Sequence, residues 1–137
     1  MNRVIEAIER KLGSLYRLCP PLEGDGLVRA EELLPEELCE VLKVSDGILQ
    51  LMEHPKAGGG EPFAAGSIIY PFEEIVSQTK VFRELYGAEG TVFAGNGAGG
   101  YFVMNADGAV YLYEYVGEEG EYYAEDILGY IEKFYGA

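Results

Sequence analysis

Between residues 91 and 116 three short runs rich in β-branched and aromatic side chains follow one another with no helical segment between them: Thr91–Ala94, Tyr101–Asn105 and Ala109–Val116. The last two are joined by Asn105-Ala106-Asp107-Gly108, a good hairpin turn. Connections this short restrict consecutive strands to antiparallel pairing, because a parallel pair needs a crossover of a dozen or more residues. The block therefore predicts an antiparallel meander.

Around it the apolar residues take helical spacing. Val4, Ile5, Ile8, Leu12, Leu15 and Tyr16 predict a first helix over Asn2–Leu18, capped by Asn2. Its other face carries Arg3, Glu6 and Arg10 at ion-pair spacing and reads as solvated. A connection with Pro20, Pro21, Gly24 and Gly26 follows. Leu34-Pro35-Glu36-Glu37-Leu38 opens a second helix, with proline suited to its first turn and the two glutamates to the positive end of its dipole; Leu38, Val41 and Leu42 face the core. Gly47 is a left-handed stop, and Ile48–Met52 a short strand. The chain from Glu53 to Gly66 reads as loop with Gly58, Gly59 and Gly60 at its tip, and Ser67–Tyr70 as a strand. A third helix starts at Pro71, carries Ile75, Val76, Thr79, Phe82, Leu85 and Tyr86, and stops at Gly87. A final one runs from about Ala124 to Tyr135. Helices segregated around an antiparallel sheet, without alternation with parallel strands, indicate an α+β fold in one domain spanning residues 1–137.

Composition narrows the function. At 137 residues with 48% hydrophobic and 25% charged side chains, the chain can bury roughly two-thirds of its unfolded surface and should need no cofactor to fold. The two cysteines, Cys19 and Cys39, lack His or Cys neighbours at ligand spacing and read as reduced thiols. No apolar run is long enough to span a membrane, and the charged N-terminus is unlike a signal peptide, so a cytoplasmic protein is expected. Acids outnumber bases 24 to 10 and the net charge is -14. Such a chain repels nucleic acid and anionic lipid, and a strongly attracted macromolecular partner should be basic.

Catalytic patterns do not assemble. Gly95-Asn96-Gly97-Ala98-Gly99-Gly100 satisfies G-x-G-x-x-G, with Glu114 downstream, but dinucleotide binding needs a helix after the last glycine, and Tyr101–Asn105 continues as strand. His54 lies beside Pro55 with no Ser or Cys nearby to activate, and reads as a surface loop histidine. Neither Glu36 and Glu37 nor Glu73 and Glu74 form a facing acid/base pair, since neighbours on a helix point apart. Asn105-Ala106-Asp107-Gly108 is too short for a calcium loop. No catalytic residue and no metal site is expected.

What remains is surface chemistry. From Glu84 to Glu132 there is no Lys or Arg, while Glu84, Glu89, Asp107, Glu114, Glu118, Glu119, Glu121, Glu125, Asp126 and Glu132 are acidic. Tyrosines crowd the same region: Tyr111, Tyr113 and Tyr115 at alternate positions, then Tyr122 and Tyr123 after the acidic turn Gly117-Glu118-Glu119-Gly120-Glu121. Tyrosine adds apolar area and a polar tip at small entropic cost, which favours it at interfaces. The candidate contact residues are Tyr113, Glu114, Tyr115, Glu118, Glu119, Glu121, Tyr122 and Tyr123. Two readings stand for the strand tyrosines: an exposed contact face, or a cover over the core with Val110, Leu112 and Glu114 facing elsewhere.

The order of motifs resembles the SUKH superfamily, the SMI/KNR-like domains. The resemblance lies in Leu34-Pro35-Glu36-Glu37-Leu38 leading to Ser45-Asp46-Gly47, in Pro71-Phe72-Glu73-Glu74-Ile75, in the run Phe93 to Asn105 followed by Gly108-Ala109-Val110-Tyr111, and in Ala124-Glu125-Asp126-Ile127-Leu128-Gly129-Tyr130-Ile131. Two departures are Val41 and Leu42, where members commonly carry an aromatic, and Asp46-Gly47-Ile48 in place of a paired Asn-Gly-Gly. The resemblance implies an α+β domain without catalytic residues, found in bacterial immunity proteins that neutralise a cognate toxin by occluding it. The expected partner is then a basic toxin domain. The alternatives are a housekeeping regulatory or scaffold domain of the same type, and a small-molecule or nucleotide-binding domain using the glycine loop.

Overall fold

A computed structural model describes residues 2–53 and 61–136; His54 and the predicted glycine tip, residues 58–60, lie outside the described residues. The fold is α+β. Helix α1 (Arg3–Leu12) begins where the Asn2 Oδ1 accepts the Val4 N–H at 2.8 Å and buries Val4, Ile5, Ala7 and Ile8. It ends earlier than its apolar spacing predicts, because Gly13 turns the chain at a φ of 61°. Tyr16 then belongs to β1 (Tyr16–Leu18), a strand that the helical reading absorbed. The proline- and glycine-rich connection also holds a helix, α2 (Gly24–Leu33), with Ala30 as its fully buried residue. It is fastened to the fourth helix by an Arg29–Glu73 ion pair of 3.1 Å and by Arg29 lying 5.1 Å over the Phe72 ring.

Helix α3 (Glu36–Leu42) buries Leu38, Val41 and Leu42 as its pattern predicts, and Cys39 with them. The turn after it ties three segments together. The Ser45 hydroxyl accepts the Cys19 N–H at 2.7 Å and donates to the Gly47 carbonyl at 2.6 Å, and the Asp46 carboxylate accepts the Phe72 N–H at 2.8 Å, capping α4. Gly47 holds a φ of 90°, and a Cβ there would lie 2.8 Å from the Pro71 nitrogen, so glycine is required by conformation and by space.

Strand β2 (Ile48–Met52) is central in a three-stranded antiparallel sheet, β1-β2-β3. Strand β3 (Phe63–Ile69) starts four residues before the predicted Ser67, within the stretch read as loop. Its first residues are exposed and carry no buried alternation, which removes the period-2 signal. Helix α4 (Phe72–Tyr86) buries Phe72, Ile75 and Phe82 and stops at Gly87 in the left-handed region. The second sheet is the meander β4 (Thr91–Gly95), β5 (Tyr101–Met104), β6 (Val110–Tyr113) and β7 (Glu121–Ala124), all antiparallel. It has one strand more than predicted, so α5 (Ile127–Phe134) begins after Ala124, with Asp126 accepting the Gly129 N–H at 2.7 Å.

The main core gathers α1, α3, α5, β2, the end of β3 and one face of the meander. Tyr130 sits at its centre, fully buried, with its hydroxyl donating to the Ile68 carbonyl at 2.9 Å and its ring edge-on to Phe93 at 5.1 Å. The meander's other face carries a smaller cluster, Phe82 with Val92 and Val103, walled by Tyr70, Tyr86, Tyr101 and Tyr113. Among the described residues no helix is long and apolar enough to cross a membrane.

Candidate functional site

Strand alternation decides which way the tyrosines face. Val110 is fully buried and Leu112 packs on the main core, so Tyr111 and Tyr113 leave the sheet on the opposite side. Tyr113 packs edge-on against Phe82 at 4.8 Å and Tyr86 at 5.2 Å; Tyr101, its register partner on β5, meets Phe82 at 5.9 Å and Tyr86 at 6.2 Å. Tyr111 stands edge-on to Tyr122 at 5.8 Å. The strand tyrosines therefore do not cover the main core, and they do not act as one set. Tyr113 seals a second, minor core, Tyr111 and Tyr122 form a surface pair, and the main core is covered by Val110 and Leu112.

Tyr115 leaves the strand face altogether. β6 ends at Tyr113, the Tyr115 carbonyl accepts the Glu118 N–H at 3.1 Å, and Gly117 turns at a φ of 90°, leaving Tyr115 65% exposed. This turn folds back over β6. The Gly120 backbone lies so close to the Tyr113 ring that a Cβ at Gly120 would overlap Cε1. Between the turn, the end of α4 and β6 opens a concavity of about 470 Å³, lined by Tyr86, Tyr111 and Tyr113, by Asn105 and Ala88, and on its rim by Glu118 and Glu119. Among the described residues no Lys or Arg lines it. Burial pushes the Tyr86 phenol above its ordinary value, with Tyr101 and the Glu118 carboxylate adding to the shift.

The other predicted contact residues divide. Tyr122 is 60% exposed beside Tyr111. Glu114 is exposed in the turn after β6, and Glu121 is exposed but paired in register with Leu112, on the side away from Tyr113. Tyr123 turns to the core face, where it meets Phe102 at 4.9 Å and takes the Lys133 ammonium 4.1 Å over its ring. Strand alternation sends Tyr122 and Tyr123 to opposite faces, and the register shift between Val110 and Tyr111 leaves Tyr123 as the extra residue, so that it and Ala124 both turn to the core. Sequence reasoning missed Tyr86 and Tyr101. Their signal is Tyr86 at i+4 from Phe82 on one helix, and Tyr101 at the start of the strand run that a hairpin sets against Tyr113.

The acidic residues are not equally free either. Arg10 and Lys11 pair with Glu132 at 3.0 and 3.3 Å, Asp126 caps α5, and Asp107 accepts the Ala109 N–H at 3.1 Å. Glu114, Glu118, Glu119, Glu121 and Glu125 make no ion pair among the described residues. Glu84 and Glu89 likewise make no ion pair among the described residues, so the uncompensated acids of this stretch run from residue 84 to residue 125 and are densest over 114–125.

The glycine-rich loop joins β4 to β5, and the Asn96, Ala98 and Gly100 amides are occupied from within. The Asn96 Oδ1 accepts the Ala98 N–H at 2.9 Å and the Gly100 N–H at 2.8 Å. Gly97 and Gly99, at φ of 79° and 87°, supply the left-handed geometry that this asparagine-centred turn needs. Cys39 is buried, its Sγ donating to the Ala30 carbonyl at 3.3 Å, and burial followed by the nearby Glu31 pushes its thiol up, away from thiolate chemistry. Among the described residues no group of three His, Cys, Asp or Glu side chains could hold a metal ion. No family model, curated protein or solved structure matches the chain.

Proposed function

We propose that this chain is a non-catalytic protein-binding domain of the SUKH type, an immunity protein that neutralises a basic toxin domain in the cytoplasm by occluding it. One observation carries the reading: a concavity walled by Tyr86, Tyr111 and Tyr113 and rimmed by Glu118 and Glu119, with no base in its lining among the described residues, in a chain of net charge -14. A surface of this kind attracts a cationic cleft over distance through its carboxylates and holds it at contact through its aromatic area. The free cysteines Cys19 and Cys39 fit a reducing compartment. The experiment is co-expression with the toxin domain encoded beside its gene. Growth should be rescued and a stoichiometric complex recovered, with rescue weakened by Glu118→Lys and Glu119→Lys together. Absence of both rescue and complex contradicts the immunity reading.

A further inference from the structure

The concavity between α4 and the 117–120 turn has a chemistry more specific than general acidity. Three phenol rings form its wall, two carboxylates with no ion pair among the described residues stand on its rim, and Asn105 contributes a further polar side chain. Its volume of about 470 Å³ is on the scale of a small-ligand site, room for one long side chain and not for a secondary-structure element. Aromatic faces attract cations through their quadrupole, and guanidinium does this best among protein cations because its plane also stacks on a ring while its N–H fork meets a carboxylate. Lysine would gain the charge but not the stacking or the fork. The pocket is also held open. Tyr113 is fixed by Phe82, Tyr86 and the Gly120 backbone, so a guest need not order that part of the wall on entry.

We infer that the Tyr86–Tyr111–Tyr113 pocket receives an arginine side chain of the partner, stacked on tyrosine and paired with Glu118 or Glu119. The inference deepens the reading of this face as a protein-binding surface and rests on it, but its test needs no toxin. The isolated protein, ¹⁵N-labelled, is titrated with N-acetyl-arginine methylamide, with the citrulline analogue of equal shape and no charge, and with the lysine analogue. The arginine probe should shift the amides of Tyr111, Tyr113, Glu118 and Gly120 saturably, in the millimolar range expected of a single side chain. Citrulline and lysine should bind about three- to tenfold more weakly. Tyr111→Leu, which removes an only half-buried ring, and Glu118→Gln should each weaken the arginine probe to the level of citrulline. Equal binding of citrulline, equal binding of lysine, shifts elsewhere on the surface, or arginine binding untouched by both variants overturns the inference. A pocket that fails this titration in a protein that still rescues growth removes the arginine site alone, whereas a passed titration without rescue removes the immunity reading and keeps the site.

Discussion

Ser45→Ala tests how the turn after α3 holds the domain together. Ser45 is fully buried, and its hydroxyl serves two backbone groups at once, accepting from the Cys19 N–H at 2.7 Å and donating to the Gly47 carbonyl at 2.6 Å. Alanine leaves both groups without that partner. Stranding a buried polar group costs about 1–3 kcal/mol. The Gly47 backbone is packed so closely on Pro71 that a Cβ would lie 2.8 Å from its nitrogen, which leaves this peptide little freedom to turn its carbonyl to water. Cys19 is only half-buried, so its N–H can recover part of its cost by hydration. The expected loss is about 2–4 kcal/mol, which at roughly 3–4 °C per kcal/mol for a domain of this size lowers Tm by about 6–15 °C. Urea unfolding followed by far-ultraviolet circular dichroism measures it, with the midpoint falling and the slope unchanged. A loss under about 1 kcal/mol refutes the reasoning, because it means that the two backbone groups find other partners at no cost.

Three further outcomes follow from named contacts. Asp46→Ala removes the carboxylate that accepts the Phe72 N–H and should lower stability by about 0.5–2 kcal/mol, with Asp46→Asn recovering most of it in the same urea assay. Glu37 accepts the Ile127 N–H at 2.9 Å; burial raises its pKa, the hydrogen bond opposes this and Asp126 adds to it. Because a raised carboxyl pKa means that the native state binds the proton more tightly than the unfolded chain does, ionised Glu37 weighs against folding above that pKa. Glu37→Gln should therefore gain stability relative to the natural chain as the pH rises from about 4 to about 7, and a difference that is flat or falling over that window contradicts the assignment. Gly97→Val places a β-branched residue at a φ of 79° in an otherwise open position and should cost about 1–2 kcal/mol, while calorimetric titration of the natural chain with ATP or NAD gives no saturable heat.

The sequence was most legible where burial was one-sided and periodic. The stripe Ile75, Phe82 and the stop at Gly87 mark α4, and Leu38, Val41 and Leu42 mark α3, because each presents a single apolar face to one core. It misled where a local pattern continued past its structural end. Leu15 and Tyr16 keep helical spacing after α1, but Gly13 breaks the helix and Tyr16 pairs with Gln50 in a sheet. It was silent where an element buries little: α2 fully buries Ala30 alone, and β7 is mostly exposed, fully turned inward only at Ala124. The candidate site was half visible. Its acidic turn and Tyr113 were readable as composition, yet the pocket exists because Tyr86, from a helix 27 positions earlier in the chain than Tyr113, is brought against it at 5.2 Å. Tyr123 and Ala124 are neighbours in sequence and both face the core, through a register shift that no residue pattern announces. The Glu37–Ile127 bond, across 90 positions, belongs to the same class of tertiary fact.

The claim at the centre of this account is that the acidic, tyrosine-walled face binds a basic partner. Surface plasmon resonance against the proposed partner, a basic toxin domain encoded beside its gene, at low and high ionic strength, measures it directly on two variants that circular dichroism shows to be folded. Glu118→Lys with Glu119→Lys should slow association and flatten its salt dependence, since uncompensated rim charges act on encounter. Tyr111→Leu should leave association nearly unchanged and speed dissociation by an amount equivalent to about 1–4 kcal/mol, since a pocket wall acts on the bound state. If both variants keep the rates and the salt dependence of the natural chain, the partner does not bind at this face and the account is wrong.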